Sequence, residues 1–198
     1  ADIHAKTASD IFGVPIDTVD KNMRRTAKAV NFGILYGISS FGLSEDLGID
    51  IISAKSFIDS YLNTYPKIKQ YMNEVIQDAK EKGYVKTIMN RKRVIDELNN
   101  KNYMIRQQGE RIALNTPVQG SSADILKKAM IEIYQEFNNR NLKSKMLIQV
   151  HDELVFNVLN DELDIVKEIV ERIMENTYQL NVPLKVDIEV GNDWYEAK

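Results

Sequence analysis

Between Asp20 and Gly37 two cations and two aromatic rings recur every fourth residue: Arg24, Lys28, Phe32 and Tyr36. On a helix, that spacing makes one slowly drifting stripe, its members about 6 Å apart along the axis. Met23, Ala27, Val30 and Ile34 make a separate apolar stripe, with the two centred about 150° apart. Cations at one end and rings at the other suit a ligand with a polyphosphate and a flat base. The same spacing also describes a second packing face, with the rings buried and the cationic stems snorkelling.

Two further constellations carry polar chemistry. Arg111, Asn115 and Gln119 step by four in ERIALNTPVQG, a pattern able to reach phosphates, sugars and base edges, or simply a solvated helix face. In IQVHDELVF, apolar strands flank His151 and Asp152, which fit a two-residue turn followed by Glu153. Adjacent carboxylates on a rigid hairpin can hold Mg²⁺, which takes oxygen ligands, although Asp is also an ordinary turn residue. His4 and His151 are the only histidines, too few for an HD-type hydrolase, and no Gly-rich loop ends in Gly-Lys-Ser/Thr.

The elements that must position these groups are mainly helices. Asp20 is a plausible N-cap for a helix reaching Tyr36, with Gly37 as its stop. A second helix is expected from Ser53 to about Tyr65, and a third from Pro66 to Gly83. GYVKTIMNRKRVI reads as two short strands around a turn. A long helical stretch follows from Tyr103 to Phe137, with a kink at Pro117. KMLIQV and ELVFNV read as a hairpin, Asp161 to Leu180 as an amphipathic helix, and PLKVDIEV as a closing strand. The class is α+β, helices first and a small antiparallel sheet last.

Composition excludes much else. There are no cysteines among the 198 residues, so disulfides, thiolate metal sites and cysteine nucleophiles are out. No apolar run approaches a membrane span, and the first residues are not expected to be a signal peptide. The net charge is −3, but residues 151–198 hold 4 basic and 12 acidic side chains, leaving 22 and 17 before them. The basic groups cluster at Lys21/Arg24/Arg25/Lys28, Lys80–Arg93 and Lys101–Arg111. A locally basic surface can follow phosphates because screening sets in beyond about 8 Å.

Taken in order, RRTAKAVNFGILYG, LNTPVQGSSADILKKAM and QVHDELVF resemble the conserved segments of family A DNA polymerases, and DIHAKTASDIFG and VPLKVDIEVGNDWYEAK also match. The resemblance covers essentially the whole chain. It implies a mostly helical fingers region over 1–140, then the C-terminal part of the palm over 141–198, with a small antiparallel sheet and a covering helix. It further implies DNA synthesis from dNTPs on primer–template by two Mg²⁺ ions. Arg24, Lys28 and His4 would hold the triphosphate, and Lys28 would donate a proton to pyrophosphate. Phe32 would stack by sugar and base, and Tyr36 would occupy the templating-base position. Arg111, Asn115 and Gln119 would contact primer–template, and His151 would lie near the primer terminus. Asp152 would bind Mg²⁺, with Glu153 close by.

The family's first metal-binding aspartate has no counterpart here and is expected upstream of Ala1, so these residues alone are expected to be inactive. A monomeric, cytoplasmic, nucleoid-associated bacterial enzyme is implied, with no membrane partner. A non-catalytic nucleic-acid-binding module is the alternative. Two departures stand out: Val94, Asp96 and Glu97 replace an aromatic residue followed closely by Pro-Asp, and Gly109 falls inside a helix.

Overall fold

The computed structural model describes residues 2–197. By its internal contacts the chain forms two compact units, one ending at Val118 and one beginning at Gln119.

The first unit is built around α1 (Ile3–Phe12) and α2 (Lys21–Leu35), which pack on each other, with α3 (Ser40–Leu47) and α4 (Ile51–Thr64) beside them. Each of these helices starts at a side-chain cap. Asp2 accepts the His4 and Ala5 N–H groups, Asp20 those of Asn22 and Met23, Ser39 that of Gly42, and Asp50 that of Ser53. Such a cap is worth about 1 kcal/mol. The second helix expected from Ser53 therefore begins at Ile51: Ser53 is the residue whose N–H is capped, and Asp50 does the capping. The sequence reading assigned no helix to Ile3–Phe12 or Ser40–Leu47, both short and with weak apolar periodicity. Val30, Ile34, Leu43, Ala54 and Tyr61 form the core between these helices.

Pro66 opens α5 (Pro66–Lys82), and Gly83, with φ 75°, ends it. β1 (Tyr84–Lys86) and β2 (Lys92–Val94) form the expected hairpin, and a 3₁₀ turn over Asp96–Asn99 leads towards α6 (Tyr103–Asn115). Gly109 allows that turn to lie against α6. A Cβ there would meet the Leu98 backbone nitrogen at 2.8 Å and the Glu97 backbone carbon at 3.0 Å. The two departures noted in the sequence are thus in contact, at one place in the fold.

α6 does not simply kink at Pro117. It passes through a π-helical turn, Thr116–Gly120, before α7 (Ser121–Asn139). The wider turn absorbs the missing proline N–H and shifts the phase, so the four-residue step from Asn115 to Gln119 does not hold as on a continuous α-helix.

In the second unit, α7 and α8 (Leu163–Asn176) share a core of Ala129, Ile133, Phe137, Val166, Ile169, Val170 and Ile173. β3 (Lys145–Val150) and β4 (Glu153–Asn157) pair antiparallel, with an irregularity between Met146 and Ile148, and Met146, Leu154 and Phe156 pack on that core. The α+β class and covering helix hold. Two expectations do not. α8 ends at Asn176 rather than Leu180. Residues 183–190 form no strand among the described residues: alternating apolar residues make a ladder only where a strand edge is available, and here the Val186 N–H goes to Glu175 Oε1, at 3.3 Å, instead.

Candidate functional site

The outward stripe of α2 is exposed along its whole length. Ala27, Val30 and Ile34 are buried, whereas Arg24 and Lys28 are exposed and Phe32 and Tyr36 keep 43% and 41% of their surface in water. Of the two readings of the stripe, the second packing face with buried rings fails. The Phe32 and Tyr36 rings stack at 6.2 Å with planes 21° apart, and the His4 ring of α1 tilts against Phe32 at 5.5 Å. His4, Phe32 and Tyr36 thus form a continuous aromatic row beside the two cations.

The cations differ. Arg24 Nε donates to Asp2 Oδ2 at 2.6 Å, while Asp2 Oδ1 caps α1. The Arg24 hydrogen bond, then the Ala5 N–H, holds the Asp2 carboxyl below its ordinary value. Lys28 makes no ion pair or hydrogen bond among the described residues, and its ammonium is left for an anion.

Arg111 reaches the end of the same helix. Its Nε donates to the Gly37 carbonyl at 3.1 Å, supplying a partner to the chain just past α2. Gly37 has φ 72°, and a Cβ there would lie 3.2 Å from Arg111 Cγ. A glycine is needed for both reasons. Asn115 is half-buried, and its Oδ1 is buried with no hydrogen-bond partner. Gln119 is exposed in the π-helical turn.

The second unit presents the hairpin. Val150 pairs with Glu153, so His151 and Asp152 are the two-residue turn expected. His151 has φ 52°, a left-handed conformation that histidine adopts more readily than most residues, and its carbonyl accepts from Gln149 Nε2 at 2.8 Å. Asp152 and Glu153 are exposed, and neither side chain has a hydrogen bond or ion pair among the described residues. No group of three acidic or histidine side chains able to hold a metal occurs among the described residues.

Sequence reasoning missed Asp2, Thr7 and Asn31. Asn31 lies about midway in angle between the two stripes of α2, so helical periodicity assigns it to neither. It is 7% exposed and its amide meets His4 Nδ1 at 3.0 Å. A polar residue at the edge of an apolar stripe is the one signal that could have marked it.

Three comparisons bear on this arrangement. The family described as DNA polymerase family A matches residues 1–196. The chain is 52% identical to DNA polymerase I of Bacillus subtilis (strain 168) over 197 residues, covering 100% of this chain and 22% of that one. It is 47% identical to DNA polymerase I of Geobacillus stearothermophilus, again over 100% of this chain and 22% of the relative. Among solved structures, the POL domain of Pol1 from M. smegmatis, in complex with DNA primer-template and dNTP, superposes with a TM-score of 0.92 at 39% identity, over 98% of this chain and 34% of that one. The chain thus spans 22% of the length of these curated relatives.

Proposed function

Since the chain belongs to DNA polymerase family A, we propose that it forms the fingers, residues 1–140, and the C-terminal part of the palm, 141–198, of a template-directed DNA polymerase that joins dNTPs to a primer 3′-hydroxyl. The observation that carries the reading is the α2 stripe: two cations and two stacked rings face solvent with the His4 ring beside them. Its order suits a nucleoside triphosphate, phosphates at Arg24 and Lys28, base and sugar at Phe32 and Tyr36. Charged donors to phosphate are stronger than neutral ones, and they act at the place where charge develops as pyrophosphate leaves.

Lys28, whose side chain has no partner among the described residues, is the group able to give a proton to the departing pyrophosphate. Arg111, Asn115, Gln119 and His151 are the primer–template contacts of this reading, and Arg111, Gln119 and His151 are exposed. Asp152 and Glu153 would hold Mg²⁺, which when bound neutralises the charge on the attacking and leaving oxygens. The pair needs a further carboxylate from outside these residues, consistent with the 22% share of the relatives that the chain spans. The 198 residues alone are therefore expected not to extend a primer. No described helix is long and apolar enough to cross a membrane, and the proposed setting is a monomer on DNA in a bacterial cytoplasm, at the nucleoid.

The test is Asp152→Asn in the polymerase carrying this segment. Single-turnover incorporation should fall by far more than tenfold, a barrier increase well above about 1.4 kcal/mol, with primer–template affinity nearly unchanged. Incorporation within tenfold of wild type would remove Asp152 from the metal site.

A further inference from the structure

Behind the nucleotide-facing row lies a buried polar relay. Thr7 of α1 is 1% exposed and Asn31 of α2 is 7% exposed. The Thr7 hydroxyl has one proton. It lies 2.9 Å from the Ile3 carbonyl one helical turn back, the usual back-bond of a helical threonine, and 3.2 Å from Asn31 Oδ1. The shorter bond takes the proton. The lone pairs of Thr7 Oγ1 then face Asn31 Nδ2, at 3.1 Å, in the amide orientation of this structure. The second Nδ2 proton points to His4 Nδ1, 3.0 Å away. A ring nitrogen that accepts carries no proton, so in the neutral imidazole the proton sits on Nε2.

We infer that Asn31 is a positioning residue: through its amide it holds His4 as the Nε2–H tautomer, so that the neutral ring offers a donor to the nucleotide. This rests on the reading of His4 as a triphosphate contact. The Phe32 ring, 5.5 Å from the imidazole, limits the ring's rotation from the other side. The arrangement gives a donor to a phosphate oxygen without requiring an imidazolium, and it leaves the acceptor nitrogen occupied inside the fold. Asn31 touches no ligand in this role.

The ring can be read directly. Nitrogen-15 NMR of the imidazoles in the 198-residue chain, at a pH where histidine is neutral, distinguishes the tautomers. The sequence has two histidines, so a His151→Gln variant assigns the signals. The expected result is a proton on Nε2 in the wild-type chain. In Asn31→Asp the new carboxylate only accepts, and the proton should move to Nδ1 or the ring become doubly protonated. A proton on Nδ1 in the wild-type chain overturns the inference, with no variant needed. So does an unchanged tautomer in a folded Asn31→Asp.

A second arm uses the polymerase carrying this segment. There, at a pH where the ring of the variant is neutral with its proton on Nδ1, Asn31→Asp should raise the dNTP Kd about tenfold, the scale of one lost hydrogen bond to a charged group, and should add nothing in a His4→Ala background. An equal effect of Asn31→Asp in both backgrounds would mean that it does not act through His4. An unchanged Kd in His4→Ala would defeat the nucleotide reading of His4 itself, and the tautomer measured in the isolated chain tells that failure from a failure of the Asn31 pairing.

Discussion

Arg24 and Asp2 face each other across the α1–α2 packing, Nε to Oδ2 at 2.6 Å, so the first cation of the exposed α2 stripe is already engaged by an internal carboxylate. On the proposed function, an incoming triphosphate would have to compete with Asp2 for it. Asn caps a helix about as well as Asp does, so Asp2→Asn separates the two jobs of this residue. The variant should keep α1 intact and tighten dNTP binding by about two- to fivefold, the scale of an exposed ion pair. A titration of nucleotide against both proteins checks it. Weaker binding would mean that Asp2 orients Arg24 rather than competing for it.

Phe32 stands between His4 and Tyr36 with 43% of its surface exposed and brings no hydroxyl to the site. A normal dNTP can bond its own 3′-hydroxyl to the departing phosphates, and a dideoxynucleotide leaves that bond unmade. The polymerase should therefore discriminate against dideoxynucleotides. Phe32→Tyr should relax the ratio of kcat/KM by about ten- to a hundredfold, since an unmade hydrogen bond to a charged group costs about 1.5–3 kcal/mol. An unchanged ratio in an active variant would move Phe32 away from the sugar.

Gly109→Ala sets helix propensity against packing. Alanine should gain about 1 kcal/mol in a helix interior. Its Cβ would however lie 2.8 Å from the Leu98 nitrogen and 3.0 Å from the Glu97 backbone, neither of them the end of a flexible side chain. Overpacking of this kind costs about 1–3 kcal/mol, and with backbone as the obstacle the upper part of that range applies. The net outcome should be a melting temperature lowered by a few degrees. A raised melting temperature would show that the 3₁₀ turn gives way easily.

Glu162 ties the start of β3 to the turn before α8. Its carboxylate accepts the Lys143 N–H at 2.9 Å and, through Oε2, the Ser144 N–H and hydroxyl at 2.8 and 2.6 Å. The Lys143 N–H, then the Ser144 hydroxyl, holds its pKa below the ordinary 4.5. A carboxyl depressed in the folded state stabilises the fold above its unfolded value and loses that contribution as pH falls through the folded one. Melting temperature should therefore drop as pH is lowered from about 5, and Glu162→Gln should be less stable at neutral pH with a shallower acid slope. Parallel slopes for the two proteins would remove Glu162 as a source of that dependence.

Much of the local structure follows from sequence alone. Asp20 and Gly37 bound α2, the two four-residue stripes separate its buried and exposed faces, and the paired apolar runs around His151-Asp152 make a two-residue hairpin. Each of these is decided by groups within a few residues of one another: caps, periodicity and turn length. The closing strand over 183–190 failed because alternation shows that a segment could pair, not that an edge is there to receive it. The same limit hid the details of the exposed α2 face. That Arg24 is held by Asp2, 22 residues away, that the Asn31 amide meets His4 across 27, and that Arg111 reaches the Gly37 carbonyl across 74 depends on which helices pack together. Periodicity gives the direction a side chain leaves its helix, but the partner it meets there is set by the packing of the other helices, and only the tertiary structure decides it.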